Sequence, residues 1–316
     1  MRHQSAFALA CGLALVAIAA GPLAAQSAGP FIVAETGERF IRLHDAVSAI
    51  GGGSGTIRIA PGRYADCAVQ ESGRIAFVAE APGTAIFDGG VCEDKATLVL
   101  RGRSSRVEGL VFTHAAVEDG NGAGIRLEQG DLSVSQTSFV DAQAGILSAS
   151  DPSSAIAIDR STFSGLGRRD PDGDHAHSIY VNDYGALTVT NSRFERGTGG
   201  HYLKSRSPRI TVLDSSFDDS RGRSTNYMID LPYGAVGRIA GNVFVQGLGK
   251  ENYSTMIAVA AEGRNNSSAG LTIEDNIVSV SPGFRWRTAF VGDWRGEPLA
   301  IRNNRLGPGI ALFARR

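Results

Sequence analysis

Residues 187–217 read LTVTNSRFERGTGGHYLKSRSPRITVLDSSF. Val189 is followed five positions later by Phe194, and 23 residues further on Val212 is followed by Phe217 at the same interval. The same pairing of a β-branched residue with a large apolar one runs outward in both directions. It gives Val107–Phe112, Val134–Phe139 and Ile158–Phe163 before this stretch, and Ile239–Phe244, Ile273–Val278 and Ile301–Leu306 after it. Eight occurrences spaced 23 to 34 residues apart mark a repeat architecture. A propeller blade needs about 40 residues, so the unit is one coil of a solenoid. Three positions after the first member stand Thr137, Ser161, Ser192, Ser215, Asn242, Asn276 and Asn304. Small polar side chains recurring there indicate a turn in which they bond backbone. Stacked coils would carry them as a polar ladder, with the Phe rings as an interior column.

A second strand series precedes each pair. It includes Gly124-Ile-Arg-Leu, Gly145-Ile-Leu-Ser, His177-Ser-Ile-Tyr-Val, His201-Tyr-Leu-Lys-Ser, Tyr227-Met-Ile-Asp-Leu, Thr255-Met-Ile-Ala-Val and Thr288-Ala-Phe-Val-Gly. Each is short and partly alternating, as a strand with one face on a core must be. The expected fold is therefore all-β, a right-handed parallel β-helix over residues 56–316. Residues 26–55 would form an N-terminal segment with a capping α-helix, because solenoid ends must be covered. Phe40, Ile41, Leu43, Ala46, Val47 and Ile50 supply its apolar stripe. Gly51-Gly-Gly-Ser-Gly55 ends that helix and leads into Thr56-Ile-Arg-Ile-Ala-Pro-Gly-Arg-Tyr64. The glycines follow a helix, whereas a phosphate loop lies between a strand and a helix.

The chain's beginning reads as a secretory signal peptide of residues 1–25. Arg2 and His3 precede an uncharged run from Phe7 to Ala20, and Pro22 to Ala25 form a small-residue cleavage region. The run is short for a membrane helix and is followed at once by helix breakers. The processed chain would carry 30 basic and 32 acidic residues, a net charge of −2. That balance speaks against a nucleic-acid partner. Cys67 and Cys92 lie 25 residues apart, one coil, and an exported chain favours a disulfide between them over two buried thiols. The expected location is secreted or periplasmic, with no membrane span after processing.

Parallel coils bring equivalent residues to about 4.8 Å from one another. Aligning the second strand series gives an outward column of Arg126, Leu147, Tyr180, Lys204, Asp230 and Ala258. The next outward column holds Glu128, Ala149, Asn182, Arg206, Pro232 and Ala260, and His177, His201 and Tyr227 align at the strand entrance. Polar, titratable side chains thus concentrate on the three middle coils. A solvated ion-pair ladder would give the same pattern, but the convergence of Tyr, His, Lys and Arg favours a functional site.

The opening "GTIRIAPGRY" resembles that of right-handed β-helix proteins of the pectate-lyase-like class. Residues 201–222, HYLKSRSPRITVLDSSFDDSRG, resemble the Lys-Ser segment of the alginate lyase and chondroitinase B family, and Gly241-Asn-Val-Phe244 resembles that family's next coil. The resemblance implies that Lys204 acts as a base. The family's Arg-His-Gly segment, which carries a partner arginine, is replaced by Leu231-Pro232-Tyr233-Gly234. Its calcium-binding acidic set is not evident either, so calcium remains open as a cofactor and no other is expected.

Cleavage of a uronic-acid polymer by β-elimination needs a partner for the substrate carboxylate, a base for the proton beside it and an acid for the leaving oxygen. Arg206 suits the carboxylate by its planar fork. Lys204 is the candidate base and Tyr180 or His201 the acid, or these exchange roles with Lys204. Asp230 would orient Lys204 but also favour its charged form, which counts against it as base. His177, Asn182, Tyr227 and Tyr202 are expected to bind the acidic polysaccharide or oligosaccharide. A glycoside hydrolase would need a second carboxyl beside Asp230, from Asp183 or Asp172. A non-catalytic carbohydrate-binding or envelope solenoid would need no base. Asp170, Asp172, Asp174 and His175 lie in an insertion beside the patch whose Asp-x-Asp-Gly core resembles a calcium loop only weakly. Arg285-Trp-Arg287 and Asp293-Trp-Arg295 would stack sugars or cap the last coil.

Overall fold

A computed structural model describes residues 1, 29–169 and 175–316. The proposed signal peptide, and Asp170, Asp172 and Asp174 of the insertion, lie outside the described residues. The chain forms the expected parallel β-helix: one sheet of twelve strands and two of ten, each adding one strand per coil. The β-branched members fall in one register on the first sheet, from Val107 opposite Val134 through to Ile273 opposite Ile301. Their partners stack on the second sheet, Phe112 opposite Phe139 and onward to Val278 opposite Leu306.

The five-residue interval has a local cause. The second residue after each β-branched member has positive φ: Gly109, Gln136, Arg160, Asn191, Asp214, Gly241, Asp275 and Asn303. One left-handed residue turns the chain sharply from the first sheet to the second, and Asn, Asp and Gly tolerate that conformation best. From Thr137 to Asn276 the next residue is a buried polar one, and Asn304 ends the row partly buried. From Ser161 onward each side chain accepts the backbone N–H of the equivalent residue one coil earlier: Ser161 from Thr137 at 3.3 Å, Ser215 from Ser192 at 3.0 Å, Asn276 from Asn242 at 2.9 Å. The polar ladder thus satisfies backbone groups that the bend would otherwise strand in the core. Six Phe rings from Phe112 to Phe244 then stack with centroids 4.6–5.2 Å apart, and Phe87 extends the column toward the N-terminus.

The N-terminal cap differs in part from expectation. The helix spans Leu43–Ile50 and buries Leu43, Ala46 and Val47. Phe40 lies instead in a short strand, Arg39–Phe40, antiparallel to Phe31–Val33, which in turn pairs antiparallel with Ser54–Ile59. Ile41 is exposed. Cys67 and Cys92 are bonded, their Cα atoms 5.6 Å apart. Among the described residues no helix is long and apolar enough to cross a membrane.

Candidate active site

The third sheet builds the site. Its register places Arg126 opposite Leu147, Leu147 opposite Tyr180, Tyr180 opposite Lys204 and Lys204 opposite Asp230. Asp230 is followed by Ala258, so charge in this column stops there. The column from Arg126 to Lys204 floors a groove of about 570 Å³ that also takes in Asn121, His177, His201, Asn226 and Glu262.

Two of these side chains are not exposed, contrary to what the column alignment suggests. Lys204 is 8% and Asp230 2% exposed: Glu262 reaches back to Lys204 from the loop after Thr255–Val259, and Asp230 packs against Lys204 and His201. One carboxylate oxygen of Glu262 pairs with Lys204 Nζ and the other accepts from Arg206 Nη2 at 2.9 Å. Asn266, further along the same loop, donates to the Arg206 carbonyl at 3.0 Å. Burial raises the Glu262 carboxyl, but hydrogen bonds from Lys204 and Arg206 outweigh it and hold the group below its usual range. Arg206 also donates to the Tyr180 hydroxyl, and its guanidinium lies between the rings of Tyr180 and Tyr233, 5.3 and 4.9 Å away. Asn182 Oδ1 is 3.5 Å from Arg206 Nη1.

Beneath Lys204 sits Asp230. Its Oδ2 is 3.5 Å from Lys204 Nζ and 3.4 Å from His201 Nε2, while Oδ1 is buried without a partner. Burial pushes this carboxyl up to about 7, against the pull of Lys204 and with a further push from Glu262. His201 is driven the other way: burial, then the neighbouring His177 and Lys204, keep it well below the ordinary imidazole value. The imidazole is therefore neutral, and its Nδ1 makes no hydrogen bond. Stacking fixes its plane, with His177 4.9 Å and Tyr227 5.4 Å away, and Trp294 continues the row 6.1 Å beyond Tyr227. His177 Nδ1 accepts the backbone N–H of His201 at 3.0 Å, tying the two coils.

Tyr202 departs from the expectation that it faces the polysaccharide. It is 1% exposed, and its hydroxyl donates to Asp219 at 2.8 Å inside the solenoid. The strand here is only Leu203–Ser205, so Tyr202 precedes it at the bend, where alternation does not hold. Ser178 and Met228, the equivalents on neighbouring coils, are buried likewise. Beside Tyr202, Lys250 and Asp219 form a fully buried pair at 3.2 Å, and Lys250 also donates to the carbonyl of Asn226. Sequence reasoning missed Glu262, Asn226 and Asn121. Glu262 belongs to a loop outside the repeat, and no spacing points to it. Among the described residues no group of three His, Cys, Asp or Glu side chains is placed to hold a metal.

No family model matches the chain, and no curated protein matches it. Solved structures of similar architecture include an alginate lyase from Paenibacillus sp. str. FPU-7, at 13% identity and a TM-score of 0.45, covering 85% of this chain and 95% of that one. A PL6 family alginate lyase, AlyGC, is 14% identical with a TM-score of 0.38, and the match covers 81% of this chain but 40% of that one. A pectin methylesterase in complex with a hexasaccharide is 12% identical with a TM-score of 0.36, covering 88% of this chain and 78% of that one. At these identities the likeness is one of β-solenoid fold.

Proposed function

We propose that the protein is an exported polysaccharide lyase that cleaves a uronic-acid-containing polymer by β-elimination. One observation carries this reading: Lys204 and Arg206 clasp a carboxylate, that of Glu262, beside the Tyr180 hydroxyl in an open groove. A pair of cations that holds one carboxylate in this way suits the carboxylate of a uronate, which would take the place of Glu262. With that charge offset, the proton on the adjacent carbon becomes acidic. His201, which lines the groove, takes it, and Asp230, 3.4 Å from its Nε2, balances the imidazolium. The electron pair of the broken C–H bond forms the new double bond, and the glycosidic C–O bond breaks. Tyr180 gives its proton to the leaving oxygen. Lys204, the base that the sequence resemblance implies, is ion-paired with Glu262 and Asp230, so its role here is to hold charge.

A hydrolase is the second reading, favoured by a different observation. Asp230 and Glu262 both lie against Lys204 Nζ, and their surroundings push them apart, Asp230 up to about 7 and Glu262 down. Divergent carboxyls of this kind are the mark of an acid–base pair. It ranks second because Asp230 is sealed beneath Lys204. The products separate the two readings: incubation with a panel of polyuronates yields ultraviolet-absorbing unsaturated ends from a lyase, and saturated reducing ends from a hydrolase. Reducing ends without ultraviolet absorbance would overturn the elimination.

A further inference from the structure

The groove has a second cationic end that the proposed chemistry does not use. Arg126 lines it three rungs from Lys204 in the same outward column, a separation of about 14 Å at the usual strand spacing. Its Nε is buried and makes no hydrogen bond. The carboxylate it faces, Glu128, lies 3.8 Å away and is already engaged by Lys95 at 2.9 Å and Arg101 at 2.6 Å. Between Arg126 and Tyr180 the floor is Leu147, with Ala144 beside it, an apolar surface on which a sugar ring can lie.

We propose that Arg126 is a distal carboxylate subsite, so that the groove binds an anionic oligosaccharide along the solenoid axis with one carboxylate at Lys204 and Arg206 and another at Arg126. A pyranose unit is about as long as one rung, so the two carboxylates belong to units about three apart. The ligand class is an oligouronate of at least four units. This rests on the reading of the groove as a uronate site, but binding at Arg126 does not require that the bound chain be cleaved.

The test uses the full processed protein carrying Tyr180→Phe, so that the oligomer survives, with and without Arg126→Gln. Calorimetry measures binding of dimers and hexamers of mannuronate, guluronate and galacturonate. Arg126→Gln should weaken the hexamer about ten-fold, equivalent to about 1.4 kcal/mol, and leave the dimer unchanged. Equal weakening of both lengths, or of neither, overturns the subsite, as does a protein that binds no oligouronate at all. If the hexamer is bound with the expected Arg126 dependence while the unsubstituted protein cleaves nothing, the subsite stands and the lyase reading falls. Cleavage by the unsubstituted protein with no Arg126 effect on binding overturns the subsite and leaves the lyase reading standing.

Discussion

Asp230 shows how position in a coil sets the chemistry of a side chain. Its neighbours above and below in the column are Lys204 and Ala258, and the side chains of Lys204 and His201 pack against it, so water reaches almost none of it. An unfolded Asp titrates near 3.9, whereas the folded carboxyl is pushed up to about 7. The folded state therefore holds a proton that the unfolded state has lost throughout that window, and stability falls as pH rises through it. The full difference is on the order of 4 kcal/mol. Asp230→Asn removes the ionisable group, so its melting temperature should gain on that of the parent between about pH 4 and pH 7 and change little relative to it outside that window. A gap that does not vary with pH would mean that Asp230 is ionised throughout. Most of the cluster was legible because third-sheet residues fall in step from coil to coil: Tyr180, Lys204 and Asp230 pair in the register that the alignment gives, and Asn182 and Arg206 lie beside them. Tyr202 was not, because alternation fails at a bend. Glu262 was not, because a loop reaching across two coils leaves no periodic trace.

At the scale of the element, each coil rests on three stacked devices: the β-branched residue on the first sheet, the left-handed bend with its inward polar side chain, and the ring on the second sheet. The first and third are spaced regularly enough to be read directly. The left-handed conformation of the bend is less plain in the sequence, although Asn191, Asp214 and Gly241 are the residue types that favour it. Phe40 shows the limit of such patterns: helical spacing to Leu43 and Val47 groups it with the helix, while its backbone pairs with Phe31. Phe217 is fully buried, with rings at 4.6 and 5.0 Å on either side. Phe217→Ala should therefore cost about 3–5 kcal/mol, read as a lower urea midpoint. A loss below about 1 kcal/mol would show that the column closes over the gap, contrary to a close-packed core.

At the scale of the molecule, the solenoid turns a sequence repeat into a linear surface, so a polymer laid along the axis meets one coil per rung. The Cys67–Cys92 bond joins two early coils and fits an oxidising compartment. On a chain of nearly balanced charge, the groove is lined by Arg126 and Lys204, and Arg206 reaches its wall at Tyr180 and Glu262, which is the polarity the proposed acidic polysaccharide needs. The central claim is that Lys204 and Arg206 hold a uronate carboxylate where Glu262 now sits, while Tyr180 protonates the leaving oxygen. The rate of ultraviolet absorbance on the most reactive polyuronate, compared among the parent, Tyr180→Phe and Lys204→Ala, tests it most directly. The account predicts unsaturated product from the parent and a fall of about a hundred-fold or more in each variant, through the lost acid in Tyr180→Phe and the lost carboxylate partner in Lys204→Ala. Because Lys204→Ala also leaves the buried Asp230 without its cation, its rate is read at a temperature where circular dichroism shows the variant folded. Full rates in both variants, or no unsaturated product from the parent on any polyuronate, would contradict it.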